Sequence, residues 1–143
     1  MAIDLGTKRV GLAITDELQI TVTALERIER RSWKDLLRRV AAIVERFDAR
    51  ALIVGLPLNM DLSEGVAAEE ACRIAENFRK SLDVPVFMQD ERLTSIAAET
   101  EMNERGVPAA EIQDRVDSES AAIILRDFLA ERVAPGRIQE DRV

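Results

Sequence analysis

Acidic residues interrupt or directly follow apolar stretches of this sequence at three places. Asp4 lies inside the first apolar stretch, Asp90 and Glu91 follow another, and Asp117 stands at the predicted start of the last helix. A buried carboxylate is costly unless it is paired or coordinates a metal. Carboxylates that gather without an arginine for each raise one another's pKa, so such a group makes physical sense mainly around hard cations. One or two Mg²⁺ or Mn²⁺ ions held in this way can support an in-line displacement at a phosphodiester.

Each acid also has a structural interpretation, and the residues alone leave it open. Asp4 could bond the backbone of the glycine turn that follows it. Asp90 and Glu91 could pair with Arg92 or cap a helix that Thr94 opens. Asp117 could be a helix N-terminal acid that the macrodipole favours. The joint placement of the acids at the ends of elements favours the metal site over these separate explanations.

The turn after Asp4 combines glycine with a hydroxyl and two cations, Lys8 and Arg9. Such a turn could cradle phosphate, although it lacks the G-x-x-x-x-G-K-[ST] spacing of a P-loop. Asn59 follows a buried apolar stretch, where it could contact a ligand or form a plain turn. The cations beside the acids could hold phosphate oxygens or remain solvated surface charges.

Composition excludes several kinds of chemistry. The 143 residues contain no histidine and a single cysteine, so Ser-His-Asp and Cys-His catalysis, the usual zinc sites and an intrachain disulfide framework are all unavailable to the chain. No apolar stretch approaches the roughly 18–20 residues of a membrane span, and early charged residues argue against a secretory signal. We therefore expect a cytoplasmic location. The net charge of −7 argues against a wholly basic surface but not against a local phosphate site.

The elements that must position these residues follow from hydrophobic periodicity. Three short apolar stretches at 1–6, 9–16 and 20–28 predict an antiparallel meander, and continuous apolar stretches at 51–57 and 84–88 predict buried strands. Helical periodicity is present in four further segments: 32–47, 63–82, 94–102 and a last helix that reaches Leu129. The order predicts a mixed sheet with helices on its faces. Ligands of such sheets gather outside the carboxyl ends of parallel strands, where the acids could converge.

Two details of this prediction concern burial and boundaries. The apolar stripe of the second helix is expected to begin with Val66 and Ala67, and that of the first helix to extend from Trp33 to Phe47. We expect one domain over residues 1–132 and a loose tail over 133–143, because the tail contains proline, glycine and many charges.

Four segments together resemble the YqgF/RuvX family of Holliday junction resolvase-like proteins. They are residues 4–11, 54–61, 90–94 and 116–125, and the resemblance extends to about Leu129. It implies an RNase H-like α/β fold: a mixed five-stranded sheet, made of a three-strand antiparallel meander plus two parallel strands, with helices on both faces. It also implies a metal-dependent nuclease of structured nucleic acid, and bacterial members are linked to processing of the 5′ end of the 16S rRNA precursor.

The resemblance carries functional residues over by position. Asp4 matches the first-strand acid, Asp90 and Glu91 match the acidic pair after the last strand, and Asp117 matches the acid on the final helix. Of the pair, we favour Glu91 as the ligand, so the expected metal ligands are Asp4, Glu91 and Asp117. The expected nucleic-acid contacts are Lys8, Arg9, Asn59, Arg92 and Thr94.

Several functions compete at this point. The leading hypothesis is hydrolysis of pre-16S rRNA, with cleavage of branched DNA in recombination or repair as the alternative; a homodimer would suit a symmetric junction. A non-catalytic nucleic-acid-binding assembly factor is another possibility. ATP binding is a further one, because Asp-x-Gly-Thr also resembles the first phosphate motif of actin-like and sugar-kinase ATPases. Those ATPases need two such lobes, and this chain is long enough for one. No membrane partner is expected.

Overall fold

The computed structural model describes residues 1–57, 61, 65–91 and 100–132, and for residues 113–118 it describes the backbone alone. The predicted helix start at Thr94 and the predicted tail 133–143 lie outside these residues. The described chain contains the following elements in order: β1 (Ala2–Leu5), β2 (Arg9–Thr15), β3 (Val22–Glu29), α1 (Trp33–Arg46), β4 (Leu52–Leu56), α2 (Val66–Ser81), β5 (Val86–Asp90) and α3 (Ala109–Arg132). Residues 100–104 add a short helical stretch before α3.

The five strands form one mixed sheet in the order β3-β2-β1-β4-β5. The pairs β1–β2 and β2–β3 are antiparallel, whereas β1–β4 and β4–β5 are parallel. This confirms the predicted mixed five-stranded sheet of a three-strand antiparallel meander plus two parallel strands. The three parallel strands end at Leu5, Leu56 and Asp90 on the same side, which we call the carboxyl edge; the opposite side is the amino edge.

The sheet is covered on both faces, because its strands alternate apolar side chains between two separate cores. Ile3, Val54 and Met88 belong to the core that α1 and α2 form with one face. Ala2, Ile53 and Phe87 belong to the core that α3 forms with the other face. Burial on both faces explains why β4 is a continuous apolar stretch rather than an alternating one.

Helix α1 begins as predicted. The Ser32 hydroxyl accepts a hydrogen bond from the Asp35 backbone N–H at 3.2 Å, which satisfies one of the free amides of the first turn. Trp33 packs edge-on against Phe78 of α2 with 4.8 Å between ring centroids, so it is a packing residue as expected. Phe47 departs from the predicted stripe: it is the C-cap and is partly exposed, since the helix has already ended there.

Helix α2 begins later than predicted. Its N-cap is Gly65 rather than a residue near Ser63, and Val66 is 85% exposed instead of starting the buried stripe. Ala67 is exposed too. A helix of 16 residues spans about 24 Å, whereas the five-residue strands below it span about 17 Å. The first turn of α2 therefore extends past the sheet, and the buried stripe begins at Ala68.

Two other boundaries differ from the sequence prediction. Strand β3 starts at Val22, and Ile20 is exposed because the Asp16 carboxylate holds residues 20 and 21 in a turn through their backbone N–H groups. Helix α3 starts at Ala109, with the Pro108 carbonyl accepting its first hydrogen bonds, so Asp117 lies two turns inside the helix. Asp117 is therefore not a helix N-terminal acid. No helix in the described ranges is both long and apolar enough to cross a membrane.

The difference in burial between Val66 and Phe78 can be tested by replacing each residue with alanine. Phe78 is fully buried between α1, α2 and the sheet, so Phe78→Ala is expected to lower the free energy of unfolding by about 3–5 kcal/mol. Val66→Ala is expected to change it by less than about 0.5 kcal/mol, since the side chain is already in water. Urea unfolding of both variants measures the two changes in the free energy of unfolding. A loss above about 1 kcal/mol for Val66→Ala would show that Val66 belongs to the buried stripe, as the sequence predicts.

Candidate active site

Asp4 and Glu91 meet on the α3 face of the carboxyl edge. Alternation along β1 places Asp4 on the same face as Ala2, and alternation along β5 places Gln89 on the face of Phe87. Glu91 is the first residue after β5, and its backbone N–H donates to the Leu56 carbonyl at 3.1 Å. Its side chain forms a hydrogen bond with the Asp4 carboxylate. Two of the predicted acids, 87 residues apart in sequence, are thus in direct contact.

Gly55 makes this contact possible. The register of β1 with β4 pairs Ile3 with Val54, so Gly55 lies beside Asp4 in the strand between the two acids. A Cβ atom at position 55 would lie 2.2 Å from Glu91 Oε2 and 2.8 Å from Ile124 Cδ1. The Glu91 carboxylate therefore crosses β4 over the bare Cα of a glycine. Gly55 lies inside the predicted strand over 51–57, and a glycine inside an apolar strand is a known signal of close approach.

Ser120 fixes the orientation of Asp4. Its hydroxyl, buried on α3, donates to Asp4 Oδ2 at 2.5 Å. The Asp4 side chain is thus held by Ser120 and Glu91, whereas the Gly6 backbone N–H bonds the Asp4 main-chain carbonyl at 3.2 Å. The proposed bond from the Asp4 carboxylate to the glycine turn is not what the structure contains. Sequence analysis missed Ser120; the available signal was a polar residue next to the apolar Ala121-Ala122 pair of the last helix.

The contact between the two acids changes the protonation of Glu91. Burial is the main cause that raises the pKa of Glu91 to about 8; the Asp4 charge, the hydrogen bond to Asp4 and the Asp90 charge add to it. At neutral pH Glu91 is therefore largely protonated in the absence of a cation. A cation that binds between the carboxylates would replace that proton.

The donor set fits a hard divalent cation. Both groups are carboxylates, one in β1 and one directly after β5, and the space over Gly55 brings them within hydrogen-bond distance of each other. Within the described side chains no group of three or more metal-binding residues occurs. The third predicted ligand, Asp117, belongs to α3 one turn before Ser120, and its side chain lies outside the described part. The Asp4–Glu91 pair thus has the chemistry of two ligands for a hard divalent cation.

Asp90 does not join this pair. Strand alternation places the Asp90 side chain on the same face as Val86 and Met88, which is the face that α1 and α2 cover. The sequence could not choose between Asp90 and Glu91, because a shift of one residue in the end of β5 exchanges their faces. The structure brings Glu91, the favoured residue of the pair, to Asp4.

The predicted cations occupy the same edge of the sheet. Lys8 is exposed in the turn that joins β1 to β2, and Arg9 is exposed as the first residue of β2. Arg30 holds this turn: its guanidinium donates to the Gly6 carbonyl at 3.0 Å, and its backbone N–H donates to the Lys8 carbonyl at 2.9 Å. The remaining predicted contacts, Asn59, Arg92 and Thr94, lie outside the described residues.

A large cavity lies elsewhere and does not contain the acid pair. It has a volume of about 810 Å³ at the amino edge, between the start of β1 and the end of α3. Its lining includes Met1, Phe128 and Arg132 together with Asp16, whose carboxylate is already engaged by backbone amides of the β2–β3 turn. Carboxylate geometry, rather than cavity size, locates the candidate site at the carboxyl edge.

A family model described as "RuvX: Holliday junction resolvase" matches residues 1–131 of this chain. The chain belongs to the RuvX family. This confirms the resemblance that the sequence motifs indicated, and the match includes Asp4, Glu91 and Asp117.

Curated relatives of this RuvX-family chain match it over most of their length. A protein of Anaeromyxobacter sp. strain Fw109-5, named "Putative pre-16S rRNA nuclease", is 40% identical over 94% of this chain and 98% of its own. A protein of the same name from Syntrophus aciditrophicus strain SB is 35% identical over 90% of this chain and 86% of its own. Among solved structures, a more distant likeness is that to T. thermophilus RuvC in complex with Holliday junction substrate, with 16% identity and a TM-score of 0.47 over 87% of this chain and 92% of that one.

The raised pKa of Glu91 predicts a pH-dependent effect of Glu91→Gln. Because the pKa of Glu91 is about 8 in the folded state and near 4.5 when unfolded, the folded state binds the proton more tightly, and stability falls as pH rises from 4.5 to 8. Glutamine keeps a hydrogen-bond donor for Asp4 but does not titrate, so the variant lacks this pH-dependent contribution to stability. In metal-free buffer, the Tm of Glu91→Gln is expected to equal that of wild type at pH 4 and to exceed it at pH 8 by about 2–4 °C or more.

Thermal unfolding from pH 4 to pH 8 with EDTA measures this difference. Glu45→Gln makes the same chemical change on an exposed part of α1 and controls for the loss of a charge. Parallel profiles of Tm against pH for wild type and Glu91→Gln would contradict the raised pKa of Glu91.

Gly55→Ala tests the crossing of β4 by Glu91. The added methyl group must displace the Glu91 carboxylate and Ile124, at an expected cost of about 1–3 kcal/mol. In a double-mutant cycle with Glu91→Ala, the pair is expected to be less destabilised than the sum of the single changes by at least about 0.5 kcal/mol, because removing Glu91 relieves the clash. Urea unfolding gives all three values, and strict additivity would show that Glu91 does not occupy the space over Gly55.

Proposed function

We propose that the protein is a nuclease that uses divalent metal ions to hydrolyse phosphodiester bonds at the 5′ end of the 16S rRNA precursor during ribosome biogenesis. The observation that carries the proposal is the Asp4–Glu91 pair, two carboxyl groups in hydrogen-bond contact beside Gly55 at the carboxyl edge. Membership of the RuvX family and the name of the curated relatives agree with a nuclease and direct the proposal to rRNA.

Asp4, Glu91 and Asp117 would hold the metal. Asp4 and Glu91 contribute adjacent carboxylates, and Asp117 belongs to the helix whose Ser120 already contacts Asp4. The chemistry supplied by one or two Mg²⁺ or Mn²⁺ ions, when bound, is activation of water for attack and neutralisation of charge on the leaving oxygen. This chemistry needs no histidine, and the chain has none.

The chain's own residues prepare the site for a phosphodiester. Ser120 donates to one oxygen of Asp4, which fixes the plane of that carboxylate against β1. Lys8 and Arg9 stand at the same edge and attract the phosphate backbone, and Arg30 holds their turn through the Gly6 and Lys8 carbonyls. Asn59, Arg92 and Thr94 complete the proposed nucleic-acid contacts, with Asp90 beside Glu91 as a supporting acid.

Cleavage of branched DNA is the second candidate, because the family description names a Holliday junction resolvase. Two symmetric cuts in a junction would call for a homodimer, with one acid pair from each copy. ATP binding has less support, since the described residues form one sheet and supply one lobe. We include a cytoplasmic location in the proposal because the rRNA precursor is found there.

Asp4→Asn tests the nuclease proposal. Wild-type protein is expected to cleave an RNA that spans the 5′ end of the 16S rRNA precursor in Mn²⁺ or Mg²⁺, and EDTA is expected to abolish cleavage. Asp4→Asn is expected to reduce the rate by at least about 100-fold, because the amide removes the charge that binds the cation. Cleavage is followed on gels with labelled RNA and, in parallel, with a four-way DNA junction.

Asp48→Asn is the matched control for this change. Asp48 is exposed near the amino edge and has a left-handed backbone with φ of 50°, which asparagine adopts readily, so its activity should equal that of wild type. Product from the junction alone would replace the rRNA proposal with the second candidate. Full activity of Asp4→Asn, or no product from either substrate, would refute the nuclease assignment at this site.

A further inference from the structure

A second pocket lies beside the carboxyl edge, on the face that α1 and α2 cover. Its volume is about 200 Å³, and it lies between the segment that joins β3 to α1, the start of α1 and the middle of α2. Its polar lining consists of three arginines, a serine and an asparagine, with one aromatic wall: Arg30, Arg31, Arg73, Ser32, Asn77 and Trp33. We call it the arginine pocket. The described residues that line it include no acid.

The arginine charges are available to a ligand. Arg31 and Arg73 have exposed side chains, at 57% and 68%, and within the described part of the chain each forms an ion pair at the surface: Arg31 with Glu29 at 3.1 Å and Arg73 with Glu70 at 4.0 Å. Exposed pairs of this kind contribute about 0–1 kcal/mol, so an anion can take their place at little cost. Guanidinium groups are suited to such an anion when it is a phosphate, because they donate two parallel hydrogen bonds.

Arg30 connects the pocket to the acid pair. Its guanidinium is half-buried, forms an ion pair with Glu70 and donates to the Gly6 carbonyl, two residues after Asp4. Its backbone bonds Lys8, whose side chain is exposed at the same edge. A chain of phosphates that leaves Asp4 and Glu91 over the β1–β2 turn would therefore meet Lys8 before it reaches the arginine pocket.

The distribution of charge along the chain favours this path. Residues 1–50 contain ten of the 20 basic residues but only eight of the 27 acidic ones, so this segment is net basic although the whole chain carries −7. The segment includes the β1–β2 turn and the end of β3, which border both the acid pair and the pocket. Association of an acidic protein with a polyanion is best explained by such a local basic path.

We propose that the arginine pocket binds a backbone phosphate of the RNA substrate at some distance from the bond that is cleaved. The proposal rests on the proposed nuclease function and adds a site to it. A volume of about 200 Å³ is below the roughly 300–1,000 Å³ of pockets that enclose a complete small molecule, so it suits one phosphate with part of its sugar. The pocket contributes substrate affinity and position, whereas Asp4 and Glu91 contribute the chemistry.

Binding of RNA by an inactive parent tests the pocket separately from cleavage. Arg31→Ala and Arg73→Ala are each introduced into the Asp4→Asn protein, and the Kd for the fluorescent 5′-end precursor RNA is measured by anisotropy from 50 to 300 mM NaCl. Each change is expected to weaken binding about 5- to 10-fold at 150 mM salt. The slope of log Kd against log salt is expected to fall by about 0.7, the value for one lost phosphate contact on a single strand.

Arg46→Ala is the matched control. It removes the same charge from an exposed arginine at the end of α1 beside the amino edge, so Kd and salt slope should remain those of the parent. In the active protein, Arg31→Ala and Arg73→Ala are expected to raise KM with kcat unchanged, which a general loss of structure would not do. Circular dichroism melts confirm that each variant is folded.

The outcomes separate the two proposals. If the wild-type protein cleaves the RNA while the Arg31 and Arg73 variants bind like the parent, the pocket proposal fails and the nuclease proposal stands. An equal loss of affinity in Arg46→Ala would also overturn the pocket, since it would indicate a nonspecific effect of charge. If the wild-type protein neither cleaves nor binds the RNA, both proposals fail. Weaker binding and a reduced slope for Arg31→Ala and Arg73→Ala, but not for Arg46→Ala, support the pocket.

Discussion

The close approach of the Asp4 and Glu91 carboxylates is the constraint on which the rest of the site depends. Two partly buried carboxylates repel each other, and here the raised pKa of Glu91 relieves the repulsion by keeping Glu91 protonated in the absence of a cation. The contact requires a parallel sheet that ends both strands at one edge and a residue without a side chain between them. Because each of these conditions is backbone geometry, the site is built into the sheet rather than into the loops around it.

The two faces of the sheet serve different purposes. The core under α3 contains many alanines, namely Ala2, Ala13, Ala121 and Ala122, whereas the core under α1 and α2 is filled with larger side chains. Small residues allow the backbone of α3 to approach β1 and β2 closely, which brings the short Ser120 side chain to Asp4. The larger residues of the other face anchor α1 and α2, and these helices in turn hold Arg30 and the arginine pocket at the carboxyl edge.

Electrostatics at this edge reconcile an acidic protein with a polyanionic substrate. Residues 51–143 carry the excess of acids. Two adjacent basic residues stand at the β1–β2 turn, Lys8 and Arg9, and two more in the β3–α1 connection, Arg30 and Arg31. Arg30 links the turn and the pocket. Its guanidinium donates to the Gly6 carbonyl in the turn that follows Asp4, and the residue also lines the arginine pocket. Net charge therefore describes the molecule poorly at the point where a phosphate backbone would bind.

The sequence by itself determined the order and type of the elements and the mixed sheet. It also placed Asp4 and Glu91 at the ends of strands. These results follow because hydrophobic periodicity and turn residues are local properties of the chain. It placed the starts of α2 and α3 incorrectly, since helix length relative to the sheet is not local. Only the tertiary structure decided that Glu91 rather than Asp90 meets Asp4, that Gly55 provides the space, and that Ser120 and Arg30 support the site. These facts depend on register between strands distant in sequence, where a shift of one residue moves a side chain to the opposite face.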